Sequence, residues 1–243
     1  MDDEAIDRQE KYKLHEAVRS GDFSGVVALV KEDASAAGQF DPDGRLPIHW
    51  AVALSQRDIT SYLFDLLPHQ KWDVNTTERG GTEWTMLMLA VSVGDEAIFD
   101  LVMQKTPDVN QSNDRGQQAM HFAASKNRLG FARQLVRRGA SARRKDKQGV
   151  TPLHRAAAIG AIPFLQFLLE SKVSVNASDD QGLTALHHAV VEGHGEAAMV
   201  LLRGGADPYA EDRNGVKAVM ASPDEKIGRY LTRQCEAEGL EFK

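Results

Sequence analysis

The chain has 243 residues, 42% of them hydrophobic and 26% charged, which supplies ample apolar material for a core and excludes a disordered or low-complexity chain. Its formal net charge of -6 argues against nucleic acid as the main partner, because binding phosphates requires a basic face. A single cysteine, Cys235, excludes an intramolecular disulfide framework and fits a reducing compartment.

The chain opens on MDDEAIDRQE, an acidic stretch with no apolar segment of signal-peptide length behind it, so the expected location is cytoplasmic and nuclear. No apolar run approaches the roughly 18 residues of a membrane span, and no membrane partner is expected. From Tyr12 onward one pattern recurs. Its best copy is Thr151-Pro152-Leu153-His154, and its relatives start at Tyr12, Leu46, Thr85, Gln118, Thr184 and Lys217. The steps between them are 34, 39, 33, 33, 33 and 33 residues. A period near 33 with a T-P-L-H-x-A core resembles the ankyrin repeat. That resemblance implies an all-α solenoid of seven helix-turn-helix units with β-hairpin fingers. The units run over residues 8–41, 42–80, 81–113, 114–146, 147–179, 180–212 and 213–243, as a single domain.

The repeat positions have physical reasons. Threonine ahead of the first helix is expected to cap its free N–H groups, a contribution of about 1 kcal/mol. Pro152 suits the first helical turn, where its missing N–H is not needed. Glycine two residues before the anchor, at Gly44, Gly116, Gly149, Gly182 and Gly215, permits positive φ. A small residue five after it, at Ala17, Ala51, Ala90, Ala123, Ala156 and Ala189, lets two helices approach closely. Leucine-rich second helices, such as Phe164-Leu-Gln-Phe-Leu-Leu, bury one face on the next unit. The first unit (Tyr12-Lys-Leu-His) and the last (Lys217-Ala-Val-Met) replace the Thr-Pro pair, as end caps do. The third, Thr85-Met-Leu-Met, lacks the proline and histidine. The 39-residue step before it predicts an enlarged hairpin loop near residues 68–83.

Five of the eight histidines, His15, His49, His121, His154 and His187, occupy the repeat's own His position, where an imidazole hydrogen-bonds within the capped turn. His188 and His194 match no zinc spacing. No phosphate loop, nucleophile elbow, HExxH or dinucleotide fingerprint is present, so no catalytic, cofactor-binding or metal-binding residue is assigned and no enzyme activity is expected. Arg137-Arg138, Arg143-Arg144-Lys145 and Lys147 form the strongest local charge feature. It reads either as a solvated loop or as an electropositive hairpin that meets acidic residues of a partner.

The informative side chains are those the repeat does not require. Positions just before the anchor, and four and eight after it, are expected on the concave face. They include Arg45, Trp50, Trp84, Phe122, Lys126, Arg155, His188 and Glu192, with Arg128 close by. Aromatic and arginine side chains on one exposed face are of the types enriched in interface hot spots. Five of them sit in strings that carry a narrower resemblance: Arg45-Leu-Pro-Ile-His-Trp-Ala and Ala123-Ala-Ser-Lys-Asn-Arg are similar to gankyrin and its fungal counterparts, as is Glu192-Gly-His-Gly-Glu-Ala-Ala. The resemblance implies a monomeric assembly chaperone of the proteasome regulatory particle. It would hold the C-terminal domain of one base ATPase, the third of the ring, on its concave face and sterically control docking to the core particle. Arg45 and Lys126 match the family's partner-pairing cations. The mammalian Leu-x-Cys-x-Glu motif has no match, since Cys235 lies in Arg233-Gln-Cys-Glu-Ala. The alternative is an ankyrin-type inhibitor or scaffold for a kinase or a transcription factor.

Overall fold

The structure, a computed structural model, describes residues 11–66, 83–222 and 225–239. The enlarged loop expected before Thr85 therefore lies almost wholly outside the described residues. The chain divides into two compact units, residues 1–114 and 115–243. Among the described residues all regular structure is helical, as expected.

The first unit holds α1 (Lys13–Ser20), α2 (Phe23–Glu32), a 3-10 turn (Ala34–Gly38), α3 (Pro47–Ala53), α4 (Arg57–Asp65), α5 (Met86–Val93) and α6 (Glu96–Lys105). The second holds α7 (Ala119–Ser125), α8 (Leu129–Arg137), α9 (Pro152–Ala158), α10 (Ile162–Glu170), α11 (Ala185–Val191), α12 (Gly195–Arg203), a 3-10 turn (Ala218–Met220) and α13 (Glu225–Glu238). Each repeat is a short first helix antiparallel to a longer second one. First helices pack on first helices, α1 on α3 on α5 and α7 on α9 on α11. Second helices do the same, α4 on α6 and α10 on α12 on α13.

Ala51, Ala123, Ala156 and Ala189 are fully buried where first helices meet, and side chains larger than methyl would force those helices apart. Second helices close the cores with larger side chains. Phe64 and Phe99 do this in the first unit, and Phe164, Leu168 and Leu201 in the second. The two helices of a repeat are joined by a tight turn whose residue nine after the anchor is left-handed. Gly160 (φ 64) and Gly193 (φ 78) fill that position without cost, whereas Ser55 (φ 56) and Asn127 (φ 51) accept it against steric preference.

Two expectations are refined. The fingers contain no regular strand among the described residues, only isolated bridges such as Ser178 with Thr184 and Glu211 with Lys217. Threonine caps as expected at Thr85, whose hydroxyl accepts from the Met88 N–H at 3.2 Å. At Thr151 the hydroxyl caps the His154 N–H at a longer 3.5 Å and lies 2.7 Å from the Nδ1 of the same histidine, and at Thr184 it lies 2.9 Å from the His187 Nδ1. The imidazole competes for the hydroxyl, and Thr85 caps freely because Met88 stands where the histidine would be. In the last repeat Met220 also replaces that histidine, and the first helix shrinks to one 3-10 turn with Met220 69% exposed.

Candidate functional site

Four fingers, starting at Asp41, Asp146, Asp179 and Asp212, are five-residue Asp-x-x-Gly-x turns closed on themselves. The Asp146 N–H donates to the Val150 carbonyl at 2.9 Å, and the Gly149 N–H donates back to the Asp146 carbonyl at 3.0 Å. Asp146 Oδ1 accepts from the N–H groups of Gln148 and Val150. Asp179 and Asp212 repeat the arrangement in the second unit, and Asp41 does so in the first. Neighbouring tips of the second unit are tied in a row. Lys147 N–H donates to Arg115 O, Asp180 N–H to Gln148 O and Arg213 N–H to Gln181 O, each at 2.9 Å. Gly149 (φ 78) is required there, because a Cβ would stand 3.0 Å from the backbone of Asp179 and Asp180.

The repeat histidines fasten each finger to the repeat before it. Nδ1 of His49, His121, His154 and His187 accepts the N–H of its own anchor residue at 3.0 to 3.2 Å. An accepting Nδ1 leaves the proton on Nε2. That Nε2–H donates to a carbonyl of the following finger: His15 to Arg45, His121 to Val150, His154 to Leu183 and His187 to Val216. Burial, which disfavours the imidazolium, holds His15, His121 and His187 below the ordinary value of 6.5. Burial and the neighbouring His188 lower His154 to about 4. The structural role expected for these five positions is the one observed.

The second carboxylate oxygen of Asp41, Asp146 and Asp179 takes a side chain four residues after the anchor, which is where three expected site residues lie. Trp50 Nε1–H donates to Asp41 Oδ2 at 2.7 Å, Arg155 to Asp146 Oδ2 at 3.2 Å and His188 Nε2 to Asp179 Oδ2 at 3.2 Å. All three side chains are half-buried and brace the finger they face. Burial alone would raise the Asp41 carboxyl, but the Arg45 N–H, the Trp50 indole and the charges of His15 and Arg19 hold it below the usual range. Around Trp50 the guanidiniums of Arg45 and Arg19 stack on the ring at 4.5 and 4.4 Å from its centroid. Such contacts contribute about 0.5–1 kcal/mol each where solvent reaches them.

The remaining expected residues separate by exposure. Lys126 and Glu192 are exposed at the C-terminal ends of α7 and α11, and Arg128 is half-buried at the start of α8. Trp84 is half-buried directly before Thr85. Phe122 is only 9% exposed, so its ring belongs to the core more than to a contact surface. In the second unit a cleft of about 400 Å³ opens between the Gln148 and Gln181 finger tips and is lined by His154, Arg155, Ala158, Asp179 and His188. Next to it Ile159 is 42% exposed and Val191 44%, and in the first unit Leu54 is 45% exposed. These three apolar groups end first helices and were not singled out from the sequence. Leu54 and Ile159 stand eight after an anchor, which was the available signal. Arg19 was missed altogether, because nothing local to it announces a contact with Trp50.

Comparison with known proteins agrees with this geometry. The family model described as ankyrin repeats (3 copies) matches residues 64–146 and 120–212. The chain is 34% identical over 140 residues to a probable 26S proteasome regulatory subunit p28 of Saccharomyces cerevisiae, covering 56% of this chain and 59% of that protein. It is 33% identical over 127 residues to an ankyrin repeat-containing protein of Schizosaccharomyces pombe, covering 51% of this chain and 52% of the other. The matched region thus spans between half and three fifths of the length of these relatives. Among solved structures, the ankyrin repeat domain of Bcl-3 superposes with a TM-score of 0.71 at 23% identity, over 90% of this chain and 97% of that one, which shows the shared fold. The helix pairs, the imidazole-tied fingers and the match of the family model over more than half of the chain agree: this chain belongs to the ankyrin-repeat family.

Proposed function

We propose that this chain is an assembly chaperone of the proteasome regulatory particle, binding the C-terminal domain of one base ATPase subunit, the third of the ring, as a monomer in the cytoplasm and nucleus. The observation that carries the reading is the likeness to the yeast proteasome regulatory subunit p28 over 140 residues. The side chains support it. Lys126 is exposed at the end of a first helix, and Arg45 is the last residue of a finger, whose N–H and carbonyl close the turn. Arg45 is additionally stacked on Trp50, which restricts its rotamers before any partner arrives and lowers the entropic cost of binding. In this reading each cation meets a carboxylate of the ATPase domain. The exposed Leu54, Ile159 and Val191 supply apolar area beside them. Occupying the ATPase domain obstructs docking to the core particle by volume alone, which asks no chemistry of the chaperone.

The test is direct titration of the purified ATPase C-terminal domain with the full chain, followed by the same titration after Arg45→Glu and Lys126→Glu. Saturable binding at micromolar concentration is expected, and each reversal should weaken it by about 2 kcal/mol or more, with the fold intact by circular dichroism and, for Arg45→Glu, a stability loss of about 1 kcal/mol from the lost Trp50 stack. Absence of saturable binding would overturn the partner. Unchanged affinity in both variants would overturn the assigned face.

A further inference from the structure

Seven basic side chains fall between residues 133 and 147 against one carboxylate, Asp146, in a chain whose net charge is -6. Arg133, Arg137, Arg138, Arg143, Arg144, Lys145 and Lys147 are all exposed. Asp146 cannot neutralise them, because its oxygens are taken by the N–H groups of Gln148 and Val150 and by Arg155. Two of the seven have evident structural employment: Lys145 Nζ donates to the Ser178 carbonyl at 2.6 Å, and the Arg133 guanidinium lies 5.2 Å from the Phe167 ring centroid. Among the described residues no carboxylate lies within ion-pair distance of Arg137, Arg143, Arg144 or Lys147.

The end of α8 accounts for part of this charge, since cations in a last turn are favoured by the helix dipole. Arg143 and Arg144 lie beyond that turn, on the irregular segment that leads into the finger, and gain nothing from it. Like charges gathered in this way repel one another until a counter-charge arrives. The backbone beneath them is held in place. Ala140 N–H donates to Leu135 O at 2.9 Å, Arg143 N–H to Ser141 Oγ at 3.3 Å, and Lys147 N–H to Arg115 O at 2.9 Å. The patch is therefore a preorganised platform rather than a loose loop.

The chemistry selects the occupant. Four of the five arginines are consecutive pairs, and the guanidinium fork matches a carboxylate in two parallel hydrogen bonds. No aromatic residue occurs between 133 and 147, so the patch offers no stacking platform for bases. We infer that the end of α8 and the segment leading from it into the following finger form a docking surface for an acidic polypeptide segment, rich in Asp and Glu, of a partner protein. This surface contains neither Arg45 nor Lys126 and does not depend on the ATPase reading.

The experiment uses the full chain and a fluorescein-labelled peptide of about ten residues alternating Glu and Ser, with binding read by anisotropy. Saturable binding is expected, weakening about tenfold or more between about 50 and 200 mM salt as ion pairing predicts. Arg143→Glu with Arg144→Glu should raise Kd by at least about tenfold, and Arg137→Glu alone should move it in the same direction. Arg143→Lys with Arg144→Lys, which keeps the charge and loses the fork, should weaken binding less than the Glu pair does. Circular dichroism should be the same for all. No saturable binding, equal affinity in the Glu variants, or tighter binding of a single-stranded oligonucleotide of equal charge would each overturn the inference.

Discussion

Replacing His154 with alanine should destabilise the second unit at neutral pH and hardly at all in mild acid. The imidazole takes the Thr151 N–H on Nδ1 and gives its Nε2–H to the Leu183 carbonyl, and it is 1% exposed. Removing it leaves both buried backbone groups unpaired, a cost of about 1–3 kcal/mol each before water enters the space. Above the unfolded value of 6.5 the ring is neutral in both states and the unaltered chain has the full benefit. Because burial lowers the folded value to about 4, the unfolded chain binds the proton first as pH falls, and stability is lost between 6.5 and about 4. The loss reaches about 2.5 kcal/mol by about pH 4.5, using 1.36 kcal/mol for each pH unit of difference. Urea unfolding of the two proteins at about pH 7.5 and about pH 4.5 isolates the effect, because most carboxylate titrations cancel in the difference. The expected penalty of the variant is about 2–4 kcal/mol at the higher pH and about 1 kcal/mol or less at the lower. A penalty that stays constant with pH would refute the assignment of a buried, neutral, doubly bonded imidazole.

Gly149→Ala should cost about 1–3 kcal/mol in urea unfolding, because φ is 78 and the new methyl would press on the Asp179–Asp180 backbone. The same change at Gly139, also at positive φ but with open space around it, should cost less, and equal penalties would show that the finger tips are not in close contact. Trp50→Phe removes the indole donor to Asp41, a charge-assisted bond at 2.7 Å, and should destabilise the first unit by about 1.5–3 kcal/mol in thermal or urea unfolding. No loss of stability there would mean that Trp50 does not brace its finger.

The scaffold is written openly in the sequence because each repeat restates it. Thr151, Pro152, Leu153 and His154 determine a helix start in any copy, and the buried alanines mark where first helices touch. The surface is less legible, for reasons that are physical. Trp50, Arg155 and His188 look surplus to the repeat when only their own helix is considered. Each is engaged by the finger aspartate nine residues earlier, a contact that exists only once the chain has turned back on itself. Arg19 joins Trp50 from another helix and a distance of 31 residues, with no periodicity to announce it. Phe122 occupies the position that Arg155 and His188 fill half-buried in the following repeats, yet its own ring turns inward to 9% exposure. Lys126 and Glu192, by contrast, end short helices where nothing folds back over them, and their exposure follows from position alone.

The bond between one repeat and the next ends on a backbone carbonyl, and this separates two demands that most interfaces must satisfy together. The acceptors belong to Arg45, Val150, Leu183 and Val216: a cation and three aliphatic residues serve the same imidazole geometry. A carbonyl oxygen is indifferent to the side chain it carries. The residue before each anchor can therefore be chosen for whatever it must meet outside the molecule, while the joint it helps to close stays the same. In this chain that freedom is used at Arg45, where a cation stacked on Trp50 costs the fold nothing at the joint itself.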